Sequence, residues 1–226
     1  MEWEALIATG HTADEISRLA EVKSADLVIA ATHGRSGLKR FLLGSVTERL
    51  MRILPCPLLI VPGPVPDAPD VIDQPLRFQR ILIGCDFSPD ADLAFRYGLS
   101  LAQEFQSELY LVHVIEKPAY PIPADNTAGN EDDFQPVMQN HLKEKLTALI
   151  PPEALNWCSP NMVLLEGQPD EELTRYAVSQ NIDLIVLGVR GQGLVEKLFV
   201  GSTTDRVVRR APCPVLSVCT KAQNST

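Results

Sequence analysis

The stretch GVRGQGLVEKLFVGSTTDRVVRRAPCP (Gly188–Pro214) sets Gly188, Gly191 and Gly201 three and then ten residues apart, with Ser202 directly after the last. This spacing suits the binding of a phosphate chain. A glycine that ends a strand lets the chain turn at little steric cost, and a second one lets backbone approach a ligand where a Cβ would collide. Gly201 and Ser202 stand at a helix start, where unpaired N–H groups and the positive end of the helix dipole meet an anion. The Ser202 hydroxyl adds one more donor, and two backbone concavities facing one crevice suit a di- or triphosphate. The plainer alternative is a capping box, since Ser202 and Asp205 have the S-x-x-D spacing in which the hydroxyl satisfies its own helix. Arg190, inside the loop, is placed to meet either a phosphate or solvent. Two better-known phosphate motifs are excluded. No G-K-[ST] tripeptide occurs, which rules out a Walker loop, and GCDFSP stands where a dinucleotide fingerprint needs G-x-G-x-x-G.

Beyond Asp86 the chain offers no His/Asp pair, thiol triad or paired carboxylates near this segment, so no catalytic residue is assigned. The expectation is a binding protein with at most slow, incidental turnover of its ligand. Five cysteines without any C-x-x-C or Cys/His spacing fit reduced thiols, and no metal site is assigned from protein side chains. Cys56 and Cys213, in matching PCP triplets, read as small buried residues entering a strand.

The elements that must position these residues follow from periodicity. RILIGCD reads as a buried strand, and Ser88 and Pro89 open a helix whose apolar face runs from Ala91 to Phe105. ELYLVHVIE is the next strand, a polar loop covers 117–133, and a helix spans about 134–150. NMVLLEG, DEELTRYAVSQ, DLIVLG, STTDRVVRR and PVLSVC then supply strand, helix, strand, helix and strand. Alternating β and α elements predict an α/β fold, a parallel doubly wound sheet whose ligands bind at the carboxyl ends of the strands. Asp86 follows the first strand and Val114 ends the second. Asp86 is equally suited to cap the turn before Ser88.

The 226-residue chain is 45% hydrophobic and 22% charged, an ordinary globular composition, and no apolar run approaches the roughly 20 residues of a membrane span. The N-terminus lacks a basic leader, so a cytoplasmic location and no membrane partner are expected. Residues 1–62 hold seven basic and seven acidic residues, whereas 63–226 hold thirteen against twenty-two. An acidic second part argues against a nucleic-acid partner. Arg206, Arg209 and Arg210 share a helix face and are expected to be solvated dipole partners.

The strand with CDFSPDADLAFRYGLSLA, the strand LVHVIE, and G-x-x-G, nine residues, G-S, followed by RRAPCPVLSV resemble the universal stress protein family. The resemblance implies a Rossmann-like, parallel five-stranded doubly wound sheet in the order 3-2-1-4-5. It also implies ATP in the crevice: Asp86 on the adenosine, Val114 backbone on the adenine, and Gly188, Gly191, Gly201, Ser202 and Thr203 on the phosphates. Arg190 is counted with them, and a divalent cation, Mg2+ or Mn2+, accompanies the nucleotide. The expected role is a nucleotide-binding regulatory module of the stress response that acts on a protein partner. The alternative is a non-nucleotide-binding interaction or dimerisation protein of the same fold.

A weaker copy of the glycine segment, ATHGRSGLKRFLLGSVTERLMRILPCP (Ala31–Pro57), aligns with the first at a constant offset of 157. The expected organisation is a partial repeat over 1–62, a proline-rich linker over 63–78 and a complete unit over 79–221. Ala31 takes the place of Gly188, and lone His33 that of Arg190. Met1 aligns with Cys158, so the repeat's first two strands and helices have no counterpart. The strand WEALIAT is therefore expected to pair unusually, to be completed by another chain or to be poorly ordered, and a start codon assigned too late is a further explanation. PLLIVP and PVLSVC, the last strands of the two units, are expected to pair within the chain as an internal pseudo-dimer, with homo-oligomerisation as a further expectation.

Overall fold

A computed structural model of the chain describes residues 3–31, 43–62, 77–116, 131–192 and 200–220. His33, Gly34, most of the expected linker and most of the loop after LVHVIE lie outside the described residues. The elements are α1 (Thr12–Val22), β1 (Val28–Ala31), α2 (Ser45–Ile53), β2 (Leu58–Val61), β3 (Arg80–Gly84), α3 (Pro89–Phe105), β4 (Glu108–Ile115), α4 (Glu131–Ala148), β5 (Asn161–Glu166), α5 (Pro169–Ser179), β6 (Leu184–Gly188), α6 (Ser202–Arg210) and β7 (Val215–Val218). A 3-10 turn at Pro152–Asn156 was not foreseen. Helix α4 starts at Glu131, earlier than its apolar spacing suggests.

The described strands form one seven-stranded sheet in the order β1-β2-β7-β6-β3-β4-β5, in which the second unit's strands run β5-β4-β3-β6-β7 and the last strands of the two units pair. Every neighbouring pair is parallel except β2 and β7, which run antiparallel with Leu59 opposite Leu216. The reason lies in the side chains. Leu58 and Ile60 of β2 and all four residues of β7 are buried, so neither strand suits a solvent-exposed edge.

Helices α1, α2, α5 and α6 cover one face of the sheet, around Leu50, Leu58, Leu173 and Val207. Helices α3 and α4 cover the other, around Ile83, Phe95, Leu146 and Val186. Helix α3 starts as its sequence dictates: the Ser88 hydroxyl accepts the Ala91 N–H at 3.2 Å and Pro89 occupies the first turn. The offset of 157 carries α1, β1, α2 and β2 onto α5, the last four residues of β6, α6 and β7. Residues 3–9, the counterpart of β5, form no regular element, and Ile7 is fully exposed. No described strand lies beside them to take their backbone groups.

The thiols agree with their sequence reading. None of the five forms a disulfide, Cys213 is buried as expected while Cys56 is half-buried, and burial pushes Cys213 up to about 12 and Cys85 to about 11. The arginines of α6 stay solvent-exposed as expected, Arg206 and Arg210 at about half, but they are also paired. Arg206 and Arg210 both donate to Asp170 of α5, at 3.4 and 3.1 Å, and Arg209 to Asp205, because Asp170 is almost fully buried and its carboxylate requires partners. No helix among the described residues is long and apolar enough to cross a membrane.

Gly98 brings α3 close against the sheet. A Cβ there would lie 2.7 Å from Ile83 Cγ1 and closer still to its Cδ1, in a core where Ile83 is fully buried. Gly98→Ala gains roughly 1 kcal/mol of helix propensity but overpacks the core by about 1–3 kcal/mol. Urea unfolding is expected to show a net loss of stability; a gain would mean that α3 shifts freely on the sheet.

Candidate functional site

The carboxyl ends of β3, β4 and β6 open on a cavity of about 860 Å3. All eight residues expected at the site border it, Asp86, Val114, Gly188, Arg190, Gly191, Gly201, Ser202 and Thr203. Their roles divide between the cavity and the protein's own packing.

Helix α6 presents its start to the cavity. Gly201 is its N-cap residue and makes no side-chain cap, while the first intrahelical bond runs from the Asp205 N–H to the Gly201 carbonyl at 3.0 Å. The N–H groups of Ser202, Thr203 and Thr204 precede that bond and have no acceptor among the described residues. The capping box does not form, because Ser202 sits one position inside the helix and Asp205 is engaged by Arg209. The exposed Ser202 hydroxyl is left facing the cavity. Thr204 turns the other way and donates to the Gly188 carbonyl at 2.7 Å, latching α6 to the end of β6.

The glycines are required by packing more than by turning. A Cβ on Gly188 would come within 2.7 Å of the Asp90 backbone carbon, one on Gly191 within 2.8 Å of Asp86 Oδ2, and one on Gly201 within 3.1 Å of the Val189 carbonyl oxygen. The protein atom that a Cβ at Gly191 would meet is an Asp86 oxygen, and Gly191 also borders the cavity. These contacts draw the β6 loop against the β3 loop. Asp86 serves both, accepting the Ser88 N–H at 3.0 Å and the Gln192 N–H at 3.1 Å.

Val114 faces the cavity through its backbone. The Val112 carbonyl takes the Cys85 N–H and the Ile115 carbonyl takes the Gly167 N–H, so the alternation of the strand turns Val114 towards the space where β3 has ended. Beside it the Phe87 ring, on a residue with φ of 62°, packs on His113 with centroids 4.9 Å apart and carries the Lys145 ammonium 4.5 Å from its centre. His113 Nδ1 lies 2.7 Å from the Cys85 carbonyl oxygen.

The universal stress protein family model matches residues 2–62 and 77–218, which together cover most of the sequence. The chain belongs to the universal stress protein family. A universal stress protein of Thermus aquaticus is 34% identical over 142 residues, which cover 62% of this chain and 98% of that protein. One of Mycobacterium tuberculosis is 28% identical over 201 residues, covering 85% of this chain but 61% of the relative, so the chain spans about three fifths of that longer protein. Among solved structures, a universal stress protein of Archaeoglobus fulgidus is 25% identical with a TM-score of 0.63, covering 92% of this chain and 66% of its own.

The residue that this family member's sequence did not reveal is Asp90. Its position in the first turn of α3 signals only a helix-dipole partner, yet its side chain is 3% exposed and receives five donors. Arg190 supplies its N–H, Nε and Nη2 at 2.9–3.0 Å, and Thr220 supplies its N–H at 2.9 Å and its hydroxyl at 2.6 Å. Arg190 therefore borders the cavity with its guanidinium already engaged. Burial raises the Asp90 carboxyl, but the hydrogen bonds from Arg190 and Thr220 outweigh it and hold the group below the usual carboxylate range. Stability from this pairing is present above the unfolded-state value and is lost as pH falls through the folded one. Arg190→Met is expected to cost about 3–5 kcal/mol at pH 7 by stranding a buried carboxylate. Adding Asp90→Asn recovers part of the loss, and the gap between wild type and Arg190→Met narrows as pH falls and the carboxyl is protonated. Chemical unfolding at several pH values reads both, and a gap independent of pH would mean that Asp90 is not the stranded group.

Proposed function

We infer that the second half of the chain binds an adenine nucleotide, ATP, in the crevice between the β3, β4 and β6 loops. The observation that carries this is the start of α6, whose three unbonded N–H groups and exposed Ser202 hydroxyl face the same cavity as Asp86 and the Val114 backbone. Phosphates at Ser202 and Thr203 meet donors and the helix dipole together. Asp86 then accepts from the ribose, and the Val114 backbone reads the base. A volume near 860 Å3 lies within the range of small-molecule sites.

The charge balance supports a nucleotide carried with a divalent cation. Asp86 and Glu116 border the cavity, Arg190 is engaged, and Lys145 is the remaining cation among its described lining residues. No cluster of three metal-ligating side chains occurs among the described residues, so Mg2+ or Mn2+ would be held by the phosphates with the Ser202 or Thr203 hydroxyl. The reading is of a regulatory module, not an enzyme: occupancy orders the β3 and β6 loops, and a protein partner senses them. Among the described residues His113, held between the Cys85 carbonyl and Phe87, pairs with no acid that would make it a general base.

A second reading, an interaction protein that holds no nucleotide, draws on Gly188 and Gly201, which protein packing alone requires. Ser202→Asp separates the two. A carboxylate in the first turn stabilises α6 but repels phosphates. Calorimetric titration of the wild type with ATP and Mg2+ is expected to saturate with Kd on the order of 1–100 μM. Ser202→Asp is expected to weaken this by at least about tenfold with Tm unchanged or raised. Absence of saturable heat, or an affinity indifferent to Ser202→Asp, would leave the second reading standing.

A further inference from the structure

The cavity reaches past the carboxyl end of β4 to both faces of the sheet. Along β4, Tyr110 and Val112 belong to the core under α5 and α6, and Leu109 and Leu111 to the core under α3 and α4. Alternation therefore sets Val114 on the face where α6 starts, and His113 and Ile115 on the opposite face. Phe87 packs with that second core, and α4 lines the cavity on the same side. Met138, Leu142 and Lys145 of α4, spaced four and then three residues apart, share one stripe of the helix and border the cavity. Leu146, one turn after Leu142, is fully buried and anchors α4 in the core.

This lobe differs in chemistry from the start of α6. Met138 is 45% exposed, and Ile115 and Leu142 are half-buried, so the lobe offers apolar atoms to whatever enters it. Phe87, in the left-handed region at φ 62°, has the backbone strain that collects at ligand clamps, and its ring packs on His113 with the Lys145 ammonium 4.5 Å from its centre. His113 supplies no donor here: the Cys85 carbonyl can only accept, so Nδ1 carries the proton of the neutral ring and Nε2 carries none. Lys145 is then the charged donor among the described residues of the lobe, and Glu116, just beyond Ile115, also borders the cavity. One cation beside one carboxylate favours a ligand with a single negative charge over a phosphate.

We propose that this α4-side lobe binds a small monocarboxylate with a short apolar chain, at a site separate from the start of α6. Lys145 takes the carboxylate, Ile115, Met138 and Leu142 take the chain, and the Phe87 ring holds the ammonium in place. The site does not depend on a nucleotide being bound at Ser202.

The test is an NMR titration of the full chain, labelled at its amides and its Ile, Leu and Met methyl groups, with butanoate, hexanoate and octanoate below their micelle concentrations. Saturable shifts are expected at the Ile115, Met138 and Leu142 methyls, with affinity rising about three- to fourfold per added methylene. Octan-1-ol, which has the chain without the charge, is the reference ligand. The ratio of octanoate to octanol affinity is expected to fall at least about fivefold in Lys145→Glu, a readout that a general loosening of the apolar wall would not move. Ser202→Asp is expected to leave octanoate binding unchanged, which keeps this site distinguishable from the nucleotide site. No saturable shift at these methyls, affinity flat along the series, or a ratio indifferent to Lys145→Glu overturns the proposal. So do amide shifts centred on Ser202 and Thr203, which assign the carboxylate to the start of α6.

Discussion

The crevice is organised around one buried carboxylate. Asp90 stands at the start of α3, beneath the loop that follows β6 and beside the end of β7, and it takes donors from both. A carboxylate so deeply buried is tolerated only when its lone pairs are filled, so the three segments must meet in a single arrangement. That arrangement brings Gly188 against the α3 backbone and Gly191 against Asp86, and it leaves the α6 N-terminus facing open space. The open helix start on the cavity thus arises as a consequence of how the protein satisfies its own charge. Arg190 contributes to the site by shaping it, and its guanidinium is directed inward.

The comparison between the halves isolates what the missing neighbours do. Thr47 donates to the Ala31 carbonyl as Thr204 donates to that of Gly188, so the helix-to-strand latch survives in both. At the carbonyl end, however, Ala31 replaces Gly188. A Cβ is forbidden at Gly188 by the backbone of Asp90 and Ala91, and no described helix approaches Ala31 in the same way. The glycine follows the neighbour, not the turn. The same dependence explains why Trp3–Thr9, apolar enough for a strand, remains outside the sheet: a strand exists only through the ladder beside it.

Joining the halves through β2 and β7 resolves a further conflict. Each strand is apolar on both faces and would otherwise end a sheet, which invites association with other chains. Antiparallel pairing places Leu58 opposite Ser217 and Ile60 opposite Val215, and the Ser217 hydroxyl donates to the Leu58 carbonyl across the seam at 3.3 Å. The result is one continuous sheet whose unpaired edge among the described strands of the first half is β1. Its bare face is the one that α3 and α4 cover elsewhere.

Much of this was legible beforehand because it depends on neighbours in the chain. The cap at Ser88, the alternation of elements and the repeat at 157 are local patterns, and so is the position of Gly201 and Ser202 at a helix start. Asp90, Phe87 and Lys145 escaped because their partners, Arg190, His113 and the Phe87 ring itself, lie about 26 to 100 residues away. The capping box between Ser202 and Asp205 was equally permitted by spacing, and only the placement of Arg209 and of Gly201 as N-cap decided against it. Local order along the chain determined which elements form and which glycines and hydroxyls stand at their ends. Whether those groups face a ligand, a buried charge or another backbone was decided by tertiary contact, since a hydrogen bond or a steric clash depends on what arrives from elsewhere in the fold.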